Sequence, residues 1–132
     1  MSLRILIVED DVTSQRLLAH FLGEYGRCEV AGDGETAVAM FRLAIEVEHR
    51  YDLVCLDIMM PGMDGHEALR AMRGLEEAHG IAREEGARIV ITSALDDSKS
   101  VLEAFDARCD GYLVKPYEKA RITDELRVLS LF

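Results

Sequence analysis

The sequence predicts an alternating α/β fold in which five strands form one parallel sheet and five helices cover both of its faces. Three observations carry this reading. Short apolar runs alternate with longer stretches of helical periodicity along the whole chain. Several of the apolar runs are near-continuous, as strands buried on both faces require. Four of the five runs end at a polar residue capable of chemistry, and in a parallel sheet those carboxyl ends lie along one rim.

The elements follow in order. The first strand runs from Leu3 to Val8 and ends at Glu9. Asp11 is placed to cap the first helix, where Val12, Leu17, Leu18, Phe21 and Leu22 share one face before Gly23 or Gly26 ends it. Cys28 to Ala31 is a shorter second strand. Asp33-Gly34 then precedes a second amphipathic stretch with Ala37, Met40, Phe41, Ala44 and Ile45 inward. The third strand, Leu53 to Leu56, ends at Asp57, and Pro61-Gly62 is a turn. Asp64 is placed to cap a third helix through Leu69 and Met72, with Gly65 easing its start. The charged segment from Gly74 to Gly86 extends that helix and then loops, its charges read as a solvated face. The fourth strand begins Arg88 to Ile91 and ends at Thr92 and Ser93. Asp96 or Asp97 caps the fourth helix, with Val101, Leu102 and Phe105 inward. Tyr112 to Val114 is the fifth strand, ending at Lys115, and Ile122, Leu126 and Leu129 form the inward side of the fifth helix.

A chain of 132 residues with 49% hydrophobic content suits one domain spanning 1–132 with its own core. Its 25 acidic and 15 basic side chains give a formal net charge of −10. That balance argues against gripping nucleic acid, which needs a basic patch, and against docking on an anionic membrane. It is compatible with a cation site or a basic partner. No apolar run is long enough to span a bilayer and the N-terminus has no signal-peptide layout, so a cytoplasmic location is expected. Cys28, Cys55 and Cys109 have no zinc-like spacing and read as free thiols. His20, His49, His66 and His79 read as surface residues.

The strand ends therefore gather Glu9, Asp10 and Asp11, then Asp57, then Thr92 and Ser93, then Lys115. Clustered carboxylates conflict: two charges about 5 Å apart repel by roughly 3 kcal/mol at an effective dielectric near 20. A hard divalent cation removes the conflict, and Mg²⁺ favours one or two carboxylates plus water and phosphoryl oxygens. A carboxylate beside that ion can attack phosphorus and form an aspartyl-phosphate. Lys115 and the cation would neutralise the phosphoryl oxygens, and Ser93 would donate a hydrogen bond to one of them.

Four motifs in this order resemble the receiver domain of bacterial two-component response regulators, including the single-domain chemotaxis type. They are Ile7-Val8-Glu9-Asp10-Asp11, Asp57-Ile58-Met59-Met60-Pro61-Gly62-Met63-Asp64-Gly65, Ile91-Thr92-Ser93-Ala94 and Gly111-Tyr112-Leu113-Val114-Lys115-Pro116. The resemblance implies a flavodoxin-like (βα)5 fold with strand order 2-1-3-4-5. It implies that Asp57 accepts the phosphoryl group. It implies that Glu9, Asp10, Asp57 and the backbone carbonyl of Met59 bind Mg²⁺, for which Mn²⁺ can substitute. Ser93 resembles the switch hydroxyl, Lys115 the lysine that contacts the phosphoryl group, and Tyr112 the aromatic switch that turns inward on activation. The Lys115–Pro116 bond is expected to be cis.

The implied role is that of a signalling phosphoacceptor rather than an enzyme. A sensor histidine kinase or histidine phosphotransfer protein would supply the phosphoryl group. A downstream effector would read the fourth helix, fifth strand and fifth helix. The chain is expected to be a monomer or a phosphorylation-dependent dimer, with no output domain in these residues. Met59 and Leu95 would flank the path of the hydrolytic water and, being unable to orient it, would slow loss of the phosphoryl group. A flavin protein would carry a Ser/Thr/Gly-rich loop where Glu9-Asp10-Asp11 stand, and a haloacid-dehalogenase-type phosphatase would carry a second acid where Met59 stands. A P-loop is absent. The alternative from another class is a receiver-like interaction module that works without phosphorylation.

Overall fold

The computed structural model describes residues 2–94 and 98–131. The elements are β1 (Leu3–Val8), α1 (Val12–Leu22), β2 (Gly26–Ala31), α2 (Gly34–Glu46) and β3 (Leu53–Asp57). They continue with α3 (Gly65–Ala78), β4 (Arg88–Ser93), α4 (Ser98–Asp106), β5 (Gly111–Val114) and α5 (Lys119–Val128). All strand pairs are parallel, in the order β2-β1-β3-β4-β5. This is the flavodoxin-like arrangement expected from the sequence.

Successive strand residues feed two cores. Leu6, Val8, Val54, Leu56, Ile89 and Ile91 pack with buried side chains of α2, α3 and α4. Ile5, Ile7, Leu53, Cys55 and Val90 pack with α1 and α5 on the other face. Burial on both faces explains why these strands read as continuous apolar runs. Cys55 and Cys109 are buried thiols and Cys28 is half-buried.

Three helices start at an aspartate cap, Asp11 and Asp64 as the sequence suggests and Asp33 besides. Asp11 accepts from the Ser14 amide at 2.9 Å, Asp33 from Thr36 at 2.7 Å and Asp64 from Glu67 at 2.9 Å. Glu67 reaches back to the Asp64 amide, completing a capping box. Gly23, rather than Gly26, ends α1, and Gly26 opens β2.

Other expectations fail for a common reason. Periodicity tells which side chains share a helix face, not whether anything covers that face. Val12 and Leu17 are exposed on α1, whose buried contacts come from Leu18 and Leu22 with Phe21 half-buried. On α4, Leu102 is 67% and Phe105 43% exposed, while Ala104 is fully buried. Asp96 and Asp97, read as its caps, and the side chain of Val101 lie outside the described residues. The charged segment is not wholly solvated either, because Glu76 is buried.

Strand order reverses between β1 and β3, whose carboxyl ends therefore open a crevice. The register pairs Val8 with Leu56, Asp57 with Thr92 and Ser93 with Val114. It brings to one rim residues from four strands that are far apart in sequence.

Candidate functional site

Glu9 leaves β1 with its amide bonded to the Ala31 carbonyl, and its side chain is only 1% exposed. Its Oε1 accepts the Asp11 amide at 3.2 Å and its Oε2 faces Lys115 Nζ at 2.9 Å. Burial pushes its carboxyl up to about 7; the bond from Lys115 opposes this and the charge of Asp57 adds to it. Asp10 is exposed at the mouth of the crevice. Asp57 closes β3, buried, with Oδ1 accepting the Met59 amide at 3.1 Å and Oδ2 paired to Lys115 Nζ at 3.1 Å. Carboxylate oxygens of Glu9, Asp10 and Asp57 lie within 4.8 Å of one another.

Lys115 follows β5, and its amide bonds to the Ser93 carbonyl at 2.8 Å. The Lys115–Pro116 bond is cis. Burial alone would lower the Lys115 ammonium, but Glu9 and Asp57 outweigh it and hold its pKa above the ordinary lysine value. One ammonium thus bridges two buried carboxylates that compete for it.

The hydroxyls of Ser93 and Thr92 are buried; that of Ser93 has no hydrogen-bond partner among the described residues, whereas that of Thr92 neighbours the Tyr117 hydroxyl. Leaving such a group unpaired costs about 1–3 kcal/mol. Unpaired buried groups are few in native proteins, and the Ser93 hydroxyl is one that stands beside a charged crevice.

The loop after Asp57 is shaped by its glycines. Gly62 has φ +75°, which favours glycine. A Cβ on Gly65 would sit 2.5 Å from the Asp57 carbonyl oxygen, so only glycine allows α3 to start this close to β3. Met59 lies on this loop, 68% exposed. Tyr112 is 45% exposed on β5, its ring edge-on to Phe105 at 6.2 Å. Leu95 lies outside the described residues.

Glu9, Asp10, Asp57 and Lys115 are therefore brought together, with the Ser93 hydroxyl on the adjoining strand, whereas Tyr112 faces outward. The donor set suits Mg²⁺: hard carboxylate oxygens in excess over one lysine, two of them buried and one open to water. Sequence reasoning missed Tyr117, whose hydroxyl lies 3.4 Å from Glu9 Oε2, and Gln15, whose amide donates to the Glu9 carbonyl at 2.6 Å. It also missed His66, whose side chain is 12% exposed and whose Nε2 lies 3.6 Å from Glu103 Oε2 across α3 and α4.

Residues 5–127 match the model of the response regulator receiver domain, and the chain belongs to that family. The regulatory protein VanRB of Enterococcus faecalis is 40% identical over 120 residues, covering 89% of this chain and 48% of the relative. The chain thus spans about half the length of that regulator. The receiver domain of the sensor histidine kinase PA1611 from Pseudomonas aeruginosa, solved with a magnesium ion coordinated in its active site cleft, has TM-score 0.78 and 25% identity. That match covers 98% of this chain and 99% of the other. The receiver domain of Ssk1 from Saccharomyces cerevisiae, solved with the histidine phosphotransfer protein Ypd1, has TM-score 0.80 and 27% identity over 94% of this chain and 86% of the other. Among the described residues no helix is long and apolar enough to cross a membrane.

Proposed function

We propose that this chain is a phosphoacceptor in a two-component phosphorelay, with Asp57 as the accepting residue. The observation that carries the reading is Lys115 Nζ, 2.9 Å from Glu9 and 3.1 Å from Asp57. It is a cation held where a phosphoryl group on Asp57 would need one. An Asp57 oxygen attacks the phosphorus of a phosphohistidine on a sensor kinase or phosphotransfer protein. The P–N bond breaks, the P–O bond forms, and the imidazole leaves. Lys115 meets the charge on the transferred oxygens, and Ser93 gains the hydrogen-bond partner it lacks.

Mg²⁺, or Mn²⁺ in its place, would be held by Glu9, Asp10, Asp57 and the Met59 carbonyl, and would supply charge neutralisation at the phosphoryl oxygens. The switch would run from Ser93 to Tyr112. The effector surface would be α4, β5 and α5, where Leu102, Phe105 and Tyr112 are exposed. A cytoplasmic location, a kinase or phosphotransfer partner and a monomer or phosphorylation-dependent dimer complete the reading. Binding without phosphorylation is disfavoured because every group that phosphoryl transfer needs is present.

The test is incubation with acetyl phosphate and Mg²⁺, followed by intact mass. The parent gains one phosphoryl group and Asp57→Asn gains none. Equal incorporation by Asp57→Asn contradicts the assignment.

A further inference from the structure

Tyr117 stands two residues past Lys115, on the turn that leads into α5. Its ring is 8% exposed and belongs to the core that includes Ile5, Ile7, Cys55 and Ile122. An apolar ring would fill that place as well, so the hydroxyl is what needs an explanation. It lies 3.4 Å from Glu9 Oε2, long for an O–H···O bond, with the Thr92 hydroxyl as its other polar neighbour. That oxygen is already taken by Lys115 Nζ at 2.9 Å, and the other carboxylate oxygen accepts only the Asp11 amide among the described residues. Glu9 Oε2 thus has two donors, one engaged and one standing off.

The distinction matters once Lys115 has another task. Its ammonium already divides its donors between Glu9 and Asp57. Turning toward a phosphoryl group weakens its hold on Glu9, and even with Mg²⁺ at the proposed site a carboxylate only 1% exposed has no water with which to replace that second partner. We propose that Tyr117 is a positioning residue that takes over Glu9 Oε2 when Lys115 turns to the phosphoryl group on Asp57. Its hydroxyl then closes to ordinary hydrogen-bond length, keeping Glu9 oriented while Lys115 is released. The proposal rests on Asp57 being the phosphoacceptor.

The experiment titrates beryllofluoride, a phosphoryl mimic, into the full chain at saturating Mg²⁺. It compares the parent, Tyr117→Phe, Glu9→Gln and the double variant. Tyr117→Phe is expected to weaken beryllofluoride binding about 3- to 10-fold, the net worth of one ordinary hydrogen bond, with Mg²⁺ affinity changed less than about twofold. In the Glu9→Gln background the same substitution is expected to change binding by less than about twofold. A purely structural hydroxyl would change stability without separating these two affinities. In the unaltered protein, the Tyr117 ring resonances are expected to shift when beryllofluoride is added to the Mg²⁺-bound chain. A Tyr117→Phe variant that binds beryllofluoride like the parent overturns the proposal, as does an equal loss with Glu9→Gln or a Tyr117 signal that does not move. A parent that binds no beryllofluoride overturns the phosphoacceptor reading and the proposal with it.

Discussion

Two clusters of buried charge lie at opposite ends of the same sheet, and they are finished differently. At the amino ends of β4 and β5, Arg73 of α3 donates to Glu76 and Asp110, each at 2.6 Å, and to the carbonyls of Ala87 and Arg108, each at 2.9 Å. The carboxylates are completed by backbone amides, Ala87 at 2.7 Å and Ile89 at 2.8 Å. At the carboxyl ends, one lysine pairs with two of three clustered carboxylates, and the Ser93 hydroxyl has no partner among the described residues. The first cluster uses its donors and acceptors internally and ties α3 to the loop before β5. The second retains surplus negative charge and an unused donor, which is the condition for binding something else. Buried charge alone therefore does not mark a functional site; incomplete pairing does.

The largest effect is expected where pairing is complete. Arg73→Met strands Glu76 and Asp110 and is expected to cost about 3–5 kcal/mol, read by urea unfolding. The folded fraction is expected to bind Mg²⁺ like the parent. A loss below about 1 kcal/mol would dissolve the contrast between the clusters.

The second effect concerns the surplus charge. Saturating the chain with Mg²⁺ at a hundred times its dissociation constant is expected to add about 2.7 kcal/mol of stability. Asp10→Asn is expected to lose most of that gain at the same Mg²⁺ concentration, with little change in the metal-free protein because Asp10 is exposed. Thermal shifts with and without Mg²⁺ check both.

The sequence reported these two clusters unequally. Glu9, Asp10, Asp57, Ser93 and Lys115 were legible because each stands at or just past the carboxyl end of an apolar run, and a parallel sheet aligns strand ends. Asp11 and Asp64 were legible as caps because the bond they make is local. Arg73, Glu76 and Asp110 were not, since a helix residue three places from another says nothing about a third residue beyond β4. Glu76 stood in a run of charge whose ordinary fate is solvation. The outward Leu102 and Phe105 failed for the same reason in reverse: their apolar character was legible, but that only Ala104 among the described residues of this helix would be fully covered was not.

Smaller effects sharpen the role of the unpaired hydroxyl. Ser93→Ala removes a buried group that makes no bond among the described residues, so its stability is expected to stay within about 0.5 kcal/mol of the parent. Its response is expected to fail: it accepts phosphate, but the Tyr112 environment changes less than in the parent, as read by ring resonances. Identical changes would remove Ser93 from the switch.

The smallest effect concerns lifetime. Met59 is exposed beside Asp57, and neither it nor Leu95 can orient water by hydrogen bonding. Met59→Asn combined with Leu95→Glu is expected to speed loss of the phosphoryl group several-fold in excess Mg²⁺. Unchanged decay would leave these side chains no part in the lifetime.

The central claim, that the incompletely paired cluster accepts a phosphoryl group on Asp57, is tested most directly by locating the group. Borohydride reduces an aspartyl-phosphate to homoserine, and peptide mass mapping then finds the converted residue. The account predicts homoserine at position 57 alone, only after acetyl phosphate and Mg²⁺, and none in Asp57→Asn. Conversion at Asp10, reduction of Glu9 at its place in the chain, or phosphoryl incorporation that leaves position 57 unreduced would contradict it.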